Sequence, residues 1–510
     1  MSSTLTSMLA AHADDAPAIG ASEKSWLTYG ALRSLSHEVR TSLRTNGIGA
    51  KDRVAIVLPN GAAMASAFIT VAQAATTAPL NPNYREDEFA FYLEDLTAKA
   101  IVLEAGYSGP AEAAARRQGL AILRLQQDST VAGKFALTGE GDDDAGDDNV
   151  PDQDDIALIL HTSGTTSRPK IVPLLQSNVT ASARNIAVSL NLTSSDRCLN
   201  VMPLFHIHGL IAAVASSLSV GASIWCTSGF NAMTFFASMA EAKPTWYTAV
   251  PTMHQAILSR AGRNEDTIKA NPLRFLRSSS ASLPAQVMEA LRETFNAPVV
   301  EAYGMTEATH QMCCNPLERQ KPGSVGVAAG PEVRIAHETE NHLIEGIGEV
   351  VISGPNVTPG YESNPDANAK NFFEANGKRW FRTGDQGSFD KDGFLELTGR
   401  LKEIINRGGE KISPLEVDGV LMDFPAIAQV VTFALPHPKL GEEVAAAVVL
   451  REGQTATERD IRDFAATRMA DFKVPRKVVI LDEIPKGATG KMQRIGMAEK
   501  LGLVERQVKR

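Results

Sequence analysis

The chain has 510 residues, 44% of them hydrophobic and 21% charged, with a net charge of −9. That length exceeds what one hydrophobic core usually supports, so two or more domains are expected. The acidic balance excludes a general nucleic-acid binder, although one cationic cleft for a small anion can sit on an acidic protein.

The opening MSSTLTSMLAAHADD has neither the basic start nor the long apolar stretch of a secretory leader. Strand-like and helical patterns then alternate: a strand over Asp52–Leu58, a helix over Ala62–Ala75, and strands at Ala100–Leu103 and Ile156–Leu160. The segment Gly139–Asp148 is acidic and nearly devoid of apolar side chains, as in a flexible surface connection. Another strand is expected at Leu199–Met202. Leu210–Cys226 carries Ser216, Ser217, Ser219 and Ser223, so it reads as a buried helix running into a strand rather than a membrane span. A helix at Ala285–Phe295 precedes a strand at Ala297–Ala302. Such alternation predicts parallel βαβ units. Beyond residue 325, short alternating strands such as Glu349–Ser353 and Phe394–Thr398 suggest a small β-rich subdomain. The last segment has strands at Val430–Leu435 and Ala445–Leu450 and a helix at Glu458–Arg468, enough for a separate small domain. Cys198, Cys226, Cys313 and Cys314 follow neither zinc nor disulfide-framework spacing, and the terminal Gln-Val-Lys-Arg is no peroxisomal address. A reducing, cytoplasmic location is expected.

Chemistry concentrates in a few clusters. His161–Lys170 reads HTSGTTSRPK directly after an apolar strand. A Ser/Thr/Gly loop in that position suits a polyphosphate: small residues admit the phosphates closely, hydroxyls donate, and Lys170 adds charge. Val300–Glu307 reads VEAYGMTE, in which Tyr303 offers a flat face to a purine, Gly304 permits a tight bend, and Thr306 and Glu307 offer oxygens to Mg²⁺. Asp385, just past a Gly turn in WFRTGD, can accept ribose hydroxyls. Gly399–Ile412 combines cations with paired glycines, and Pro485–Lys491 is a Gly-containing loop ending in lysine.

In this order the clusters resemble the acyl-adenylating superfamily of acyl-CoA synthetases, aryl-CoA ligases, luciferases and adenylation domains. The resemblance spans essentially the whole chain. It implies an α/β fold in which a large N-terminal domain (1–399) of parallel βαβ subdomains and a small β-rich subdomain binds ATP and the acid. A hinge at 400–402 and a small mobile α+β C-terminal domain (403–510) would follow. It implies a monomer or homodimer without membrane insertion or a nucleic-acid partner, using ATP, Mg²⁺ and coenzyme A. The reaction would form an acyl-adenylate and pyrophosphate, then a CoA thioester with release of AMP. By matching position, Ser163, Gly164, Thr165, Thr166 and Lys170 would hold the β- and γ-phosphates. Tyr303, Gly304, Ser280 and Ala281 would border the adenine. Thr306 and Glu307 would serve catalysis, with Glu307 on the metal, and Asp385 and Arg400 would hold the ribose. Lys402 would be the hinge and Lys491 the adenylation lysine. Arg407, Gly408, Gly409 and Lys411 would face CoA.

Three polar features point to a small, doubly charged acid: His206 and His208 in PLFHIHG, the serines of Arg277–Ser282, and His310, one turn after Glu307 if a helix begins there. A pocket for a fatty tail would gain nothing from such walls, because an unpaired buried polar group costs roughly 1–3 kcal/mol. Taken together with YGMTEATH and INRGGEKISP, these resemble oxalate–CoA ligases most, which implies that His206, Ser280 and His310 contact the acid. His208 is either a further acid contact or a satisfied turn histidine. Because oxalate is fully ionised at neutral pH, one imidazole is expected to carry a proton in the complex. Ile171 departs from the superfamily's glycine after the loop lysine, and Ile171→Gly is expected to be neutral or to raise turnover. The alternatives are a ligase for malonate or another short-chain, medium-chain or aryl acid, and a non-catalytic nucleotide-binding relative.

Overall fold

The computed structural model describes residues 3–139, 149–162, 169–485 and 493–504. Ser163, Gly164, Thr165, Thr166 and Lys491 lie outside the described residues, as does most of the acidic connection.

Four sheets organise the chain. A seven-stranded sheet contains Arg53–Val57, Thr76–Pro79, Ala100–Glu104, Ala121–Gln127 and Ile156–Thr162, all running parallel, with antiparallel Phe135–Gly139 and Lys170–Leu175 at its edges. A nine-stranded sheet has a parallel centre of Ser223–Cys226, Arg197–Asn200, Trp246–Ala249, Phe275–Ser279 and Val299–Met305, joined antiparallel by His310–Cys314. The predicted alternation is therefore present as βαβ crossovers, and the apolar strand runs are buried, as parallel strands must be.

The helices Tyr29–Thr45, Ala62–Ala72, Gln176–Ser189 and His208–Ala215 share one apolar core to which both sheets contribute. Ala62–Ala72 is buried on every face, which accounts for its apolar composition all round. His208–Ala215 is π-helical and continues into Ser216–Ser219. Its serine-bearing end tolerates burial because the Ser216 and Ser217 hydroxyls donate to the Ala212 and Ala213 carbonyls, each at 2.7 Å.

An antiparallel six-stranded sheet spans Glu332–Arg400. Its last strand, Leu395–Arg400, is followed at Ile405 by the first strand of a five-stranded sheet. The hairpin Ile427–His437 and Gly441–Leu450 forms the centre of that sheet. Period-two alternation sends Val430, Val444, Ala446 and Val448 to one face, against the helices Pro414–Met422 and Glu458–Ala466. Val431, Phe433, Ala445 and Ala447 go to the other, against Ile484 and Met497. No helix among the described residues is long and apolar enough to cross a membrane.

Candidate active site

The carboxyl ends of the parallel strands in the nine-stranded sheet converge on one region, the edge where open α/β sheets bind ligands. Thr248 ends one strand, Arg277 to Ser280 leave the next, and Tyr303 to Glu307 leave a third. The loop after Arg197–Asn200 delivers His206 and His208.

His208 is 2% exposed. Its Nδ1 lies 3.0 Å from Ser280 Oγ, and its Nε2 lies 2.6 Å from Thr248 Oγ1. Its ring centroid is 5.1 Å from that of the buried His310. The structure therefore joins the two readings of His208: its polar atoms are satisfied, and one of its partners is the serine predicted to touch the acid. His206 is half-buried beside Phe205. Gly209 makes the turn possible, since a Cβ there would sit 2.4 Å from the Pro203 carbonyl oxygen.

The helix expected after Thr306 does not form. Thr306–Ala308 is a single 3₁₀ turn, and Thr309 and His310, at φ 49° and 96°, reverse the chain into the strand His310–Cys314. His310 is brought beside His208 by this reversal, not by helical spacing. Gly304 also differs from expectation: it lies within a strand, and its role is close approach, because a Cβ would fall 1.7 Å from the His310 carbonyl oxygen. Ser280, at φ 74°, is a third non-glycine residue held in the left-handed region. Such strain costs about 1–3 kcal/mol per residue and persists where the surroundings enforce it, commonly at functional sites. The enforcing contacts around the reversal come from a loop that no motif marks. Asn356 Nδ2 donates to the Ala308 and Gln311 carbonyls, its own carbonyl accepts from Thr309 Oγ1, and Thr358 N–H donates to the Glu307 carbonyl.

The nucleotide side is equally connected. Tyr303 donates its hydroxyl to Asp385, whose other oxygen lies 3.4 Å from Arg400 Nε on the neighbouring strand. Burial pushes the Asp385 carboxyl above its ordinary range, and Arg400 opposes that shift. Glu307 is buried and accepts the Tyr361 hydroxyl at 2.7 Å, while Lys170 Nζ sits 4.2 Å above the Tyr361 ring. Burial lowers the Lys170 pKa, and Glu307 partly restores it. A buried carboxylate beside a phosphate-loop lysine suits Mg²⁺, which takes one or two carboxylates plus substrate phosphates rather than an all-protein cage. His161 Nε2 lies 3.0 Å from Asp95 Oδ2 and anchors the start of the loop.

Ile171 is explained by its surroundings. It lies in the strand Lys170–Leu175 opposite His161, is 8% exposed, and belongs to the apolar cluster of Leu80, Phe89, Leu93 and Ile159. Its backbone has no positive φ that would favour glycine. The expectation that Ile171→Gly would be neutral or helpful is thus overturned by burial.

The predicted CoA-facing cations are tied to acids. Arg407 Nε is 2.6 Å from Glu443 Oε1, and Lys411 Nζ reaches across to Glu338 Oε2 at 2.7 Å. Gly408 and Gly409 form the turn between the strands Ile405–Arg407 and Glu410–Ile412, and Lys402 is near enough to Lys170 to depress its pKa. Ala281 is exposed at the tip of the serine turn. Arg494, three residues after Lys491, is held by Asp418 at 2.7 Å and Glu403 at 3.5 Å. Thr248 and Tyr361 were not anticipated, since each is one ordinary residue that only the fold brings to the site. Arg277 stood inside a quoted motif but carried no assigned role.

Residues 7–362 match the family described as AMP-binding enzyme, and residues 416–491 match the AMP-binding enzyme C-terminal domain. The oxalate–CoA ligase of Arabidopsis thaliana is 46% identical over 492 residues, 94% of each chain. The oxalate–CoA ligase of Saccharomyces cerevisiae is 42% identical over 484 residues, covering 88% of this chain and 87% of that one. Among solved structures, ATP-bound MatB from Rhodopseudomonas palustris gives a TM-score of 0.87 at 27% identity, covering 98% of this chain and 99% of that one.

Proposed function

The chain belongs to the AMP-binding enzyme family, and from that premise we propose that it is an ATP-dependent acid–CoA ligase whose preferred acid is oxalate. A carboxylate attacks the α-phosphate of ATP to give the acyl-adenylate and pyrophosphate, and the thiol of CoA then displaces AMP to give the thioester.

Both partners in the first step are anions, so the chain's task is to align them and damp their repulsion. Tyr303, Gly304, Ser280 and Ala281 border the adenine, and Asp385 with Arg400 accepts and donates to the ribose. Lys170, with Ser163, Gly164, Thr165 and Thr166, holds the outer phosphates. Glu307 and Thr306 offer oxygens to the magnesium that accompanies the nucleotide, which supplies charge neutralisation on the phosphates when bound. Lys491 serves the carboxylate and the α-phosphate in the first step. Rotation of the 403–510 unit about Lys402 then withdraws it, and Arg407, Gly408, Gly409 and Lys411 face CoA. Lys411 must release Glu338 for that, at small cost, because exposed ion pairs contribute about 0–1 kcal/mol. On this reading the enzyme is cytoplasmic, as a monomer or homodimer.

The observation that carries the choice of acid is the pocket wall. His208, Ser280 and His310 bring polar groups together where a fatty or aryl acid would need an apolar wall. A panel of oxalate, malonate, octanoate and coumarate, read as pyrophosphate release and as thioester formation, tests it. Oxalate should exceed malonate in kcat/KM by about tenfold or more, since one misplaced methylene is worth roughly 10–200-fold. Malonate equal to or better than oxalate would transfer the site to the longer diacid, and no pyrophosphate release with any acid would remove ligase activity altogether.

A further inference from the structure

Arg277 is the side chain that the proposed reaction leaves without a task, and it is fully buried. A charged guanidinium withdrawn from water ordinarily has a carboxylate beside it. Among the described residues none lies within ion-pair distance of Arg277. Its NH2 donates to Gln311 Oε1 at 3.1 Å, and its NH1 lies 3.4 Å from both Thr248 Oγ1 and His208 Nε2. Burial lowers its pKa only to about 10, so it remains a cation at neutral pH.

We infer that Arg277 is a positioning residue that fixes the tautomer of His208, so that Ser280 presents its hydroxyl proton to the distal carboxylate of the acid. The inference rests on the small-diacid reading and names how its specificity is set. A guanidinium has donors and no acceptor. Facing Arg277, Thr248 Oγ1 accepts and turns its own proton toward His208 Nε2, 2.6 Å away. With Nε2 accepting, the ring proton resides on Nδ1 and is donated to Ser280 Oγ at 3.0 Å. Ser280 Oγ then accepts from the imidazole, and its hydroxyl proton is directed to the ligand. Ser280 itself is held in the left-handed backbone region. The relay ends in a neutral donor backed by a buried positive charge, which suits an anion. A monocarboxylic acid has no second carboxylate to receive it.

In the same geometry a proton on Nε2 would face the guanidinium, so the Nδ1–H tautomer is the one the arrangement selects. Among the described residues, the titratable groups around His208 include Arg277, His310 at a ring separation of 5.1 Å, and the buried thiols of Cys198 and Cys314 beside Arg277. Among the described residues, the helices packed most closely on His208–Ala215 add Arg184, which is exposed.

The test compares wild type, Arg277→Gln and Thr248→Val in thioester formation with oxalate and with acetate from pH 6 to 8. Histidine ¹⁵N spectra report the tautomer of His208. Thr248→Val is isosteric and leaves the arginine in place, so it probes the relay if Arg277→Gln fails to fold. Each variant should raise the oxalate KM by about tenfold or more, with a smaller change for acetate. In Arg277→Gln the dependence of the oxalate KM on pH between 6 and 8 should also change, because a proton on His208 Nε2 would no longer face a guanidinium. Wild-type His208 should be protonated on Nδ1. Oxalate preference in the wild type with unchanged KM and pH profile in both variants would overturn the inference while sparing the diacid reading. No oxalyl-CoA from the wild type, with an Nδ1–H signal that Thr248→Val abolishes, would sink the diacid reading and its specificity claim but uphold the relay. An Nε2–H tautomer in the wild type would overturn the relay outright.

Discussion

Glu301 offers a measurement whose sign and size both follow from its burial. It lies two residues before Tyr303 in the strand Val299–Met305, is 2% exposed, and accepts the Leu283 N–H at 2.9 Å. That bond anchors the end of the serine turn. Desolvation pushes the carboxyl from 4.5 up to about 8, against the smaller opposing effect of Leu283. A raised pKa means that the folded chain holds a proton the unfolded chain releases. The associated stability is complete below pH 4.5, declines as the pH rises, and levels off above about 8. At about 1.4 kcal/mol per pH unit, the loss amounts to about 3 kcal/mol between pH 5 and 8.

Glu301→Gln keeps an acceptor for Leu283 and cannot ionise. Its stability relative to wild type should therefore grow by about 3 kcal/mol across that range, or about 3 °C in Tm for a chain of this size. Thermal unfolding of the two proteins at matched pH from 5 to 8.5 reads the difference directly, and every other titrating group cancels in the comparison. Parallel Tm–pH curves would show that Glu301 finds water or a cation in solution, and the argument from burial would fail.

Two further substitutions test the pocket and the loop behind it. Ile171→Gly removes a buried side chain and loosens a strand, at a cost of about 3–5 kcal/mol. Tm and turnover should both fall, and a gain in kcat at unchanged Tm would refute the packing account. His310→Ala should raise the oxalate KM by about tenfold or more while leaving the KM for ATP in place; unchanged oxalate kinetics would remove His310 from the acid's surroundings.

The difference between what was and was not legible in the sequence is one of range. Motifs that act locally could be read directly: the strand before HTSGTTSRPK and the strand leading into VEAYGMTE. His310 was expected one helical turn after Glu307, and that helix does not form. The reversal at Thr309 depends on Asn356 and Thr358, almost 50 residues away, and no local pattern encodes that support. Ile171 was misjudged for the same reason, since its burial comes from a helix at Glu86–Asp95 and not from its neighbours in the chain. Arg277 was visible in a motif, yet its meaning lies in having no carboxylate beside it among the described residues, which only three-dimensional neighbours can establish.

These long-range contacts also impose an order on the charges. Both carboxylates of the nucleotide side, Glu307 and Asp385, are held by phenols, from Tyr361 and Tyr303. A phenol donates a hydrogen bond without bringing positive charge, and although Asp385 also has Arg400 Nε at 3.4 Å, the one hydrogen bond named on the Glu307 side chain comes from a neutral donor. The acid side is built in the opposite sense, with a buried guanidinium reaching the pocket through neutral hydroxyls and an imidazole. Had a carboxylate been placed beside Arg277, the fold would gain an ion pair, and the pocket would lose its attraction for a second anion. The unneutralised arginine is thus costly for folding and useful for binding, and Arg277→Gln separates the two by pH profile where stability alone could not.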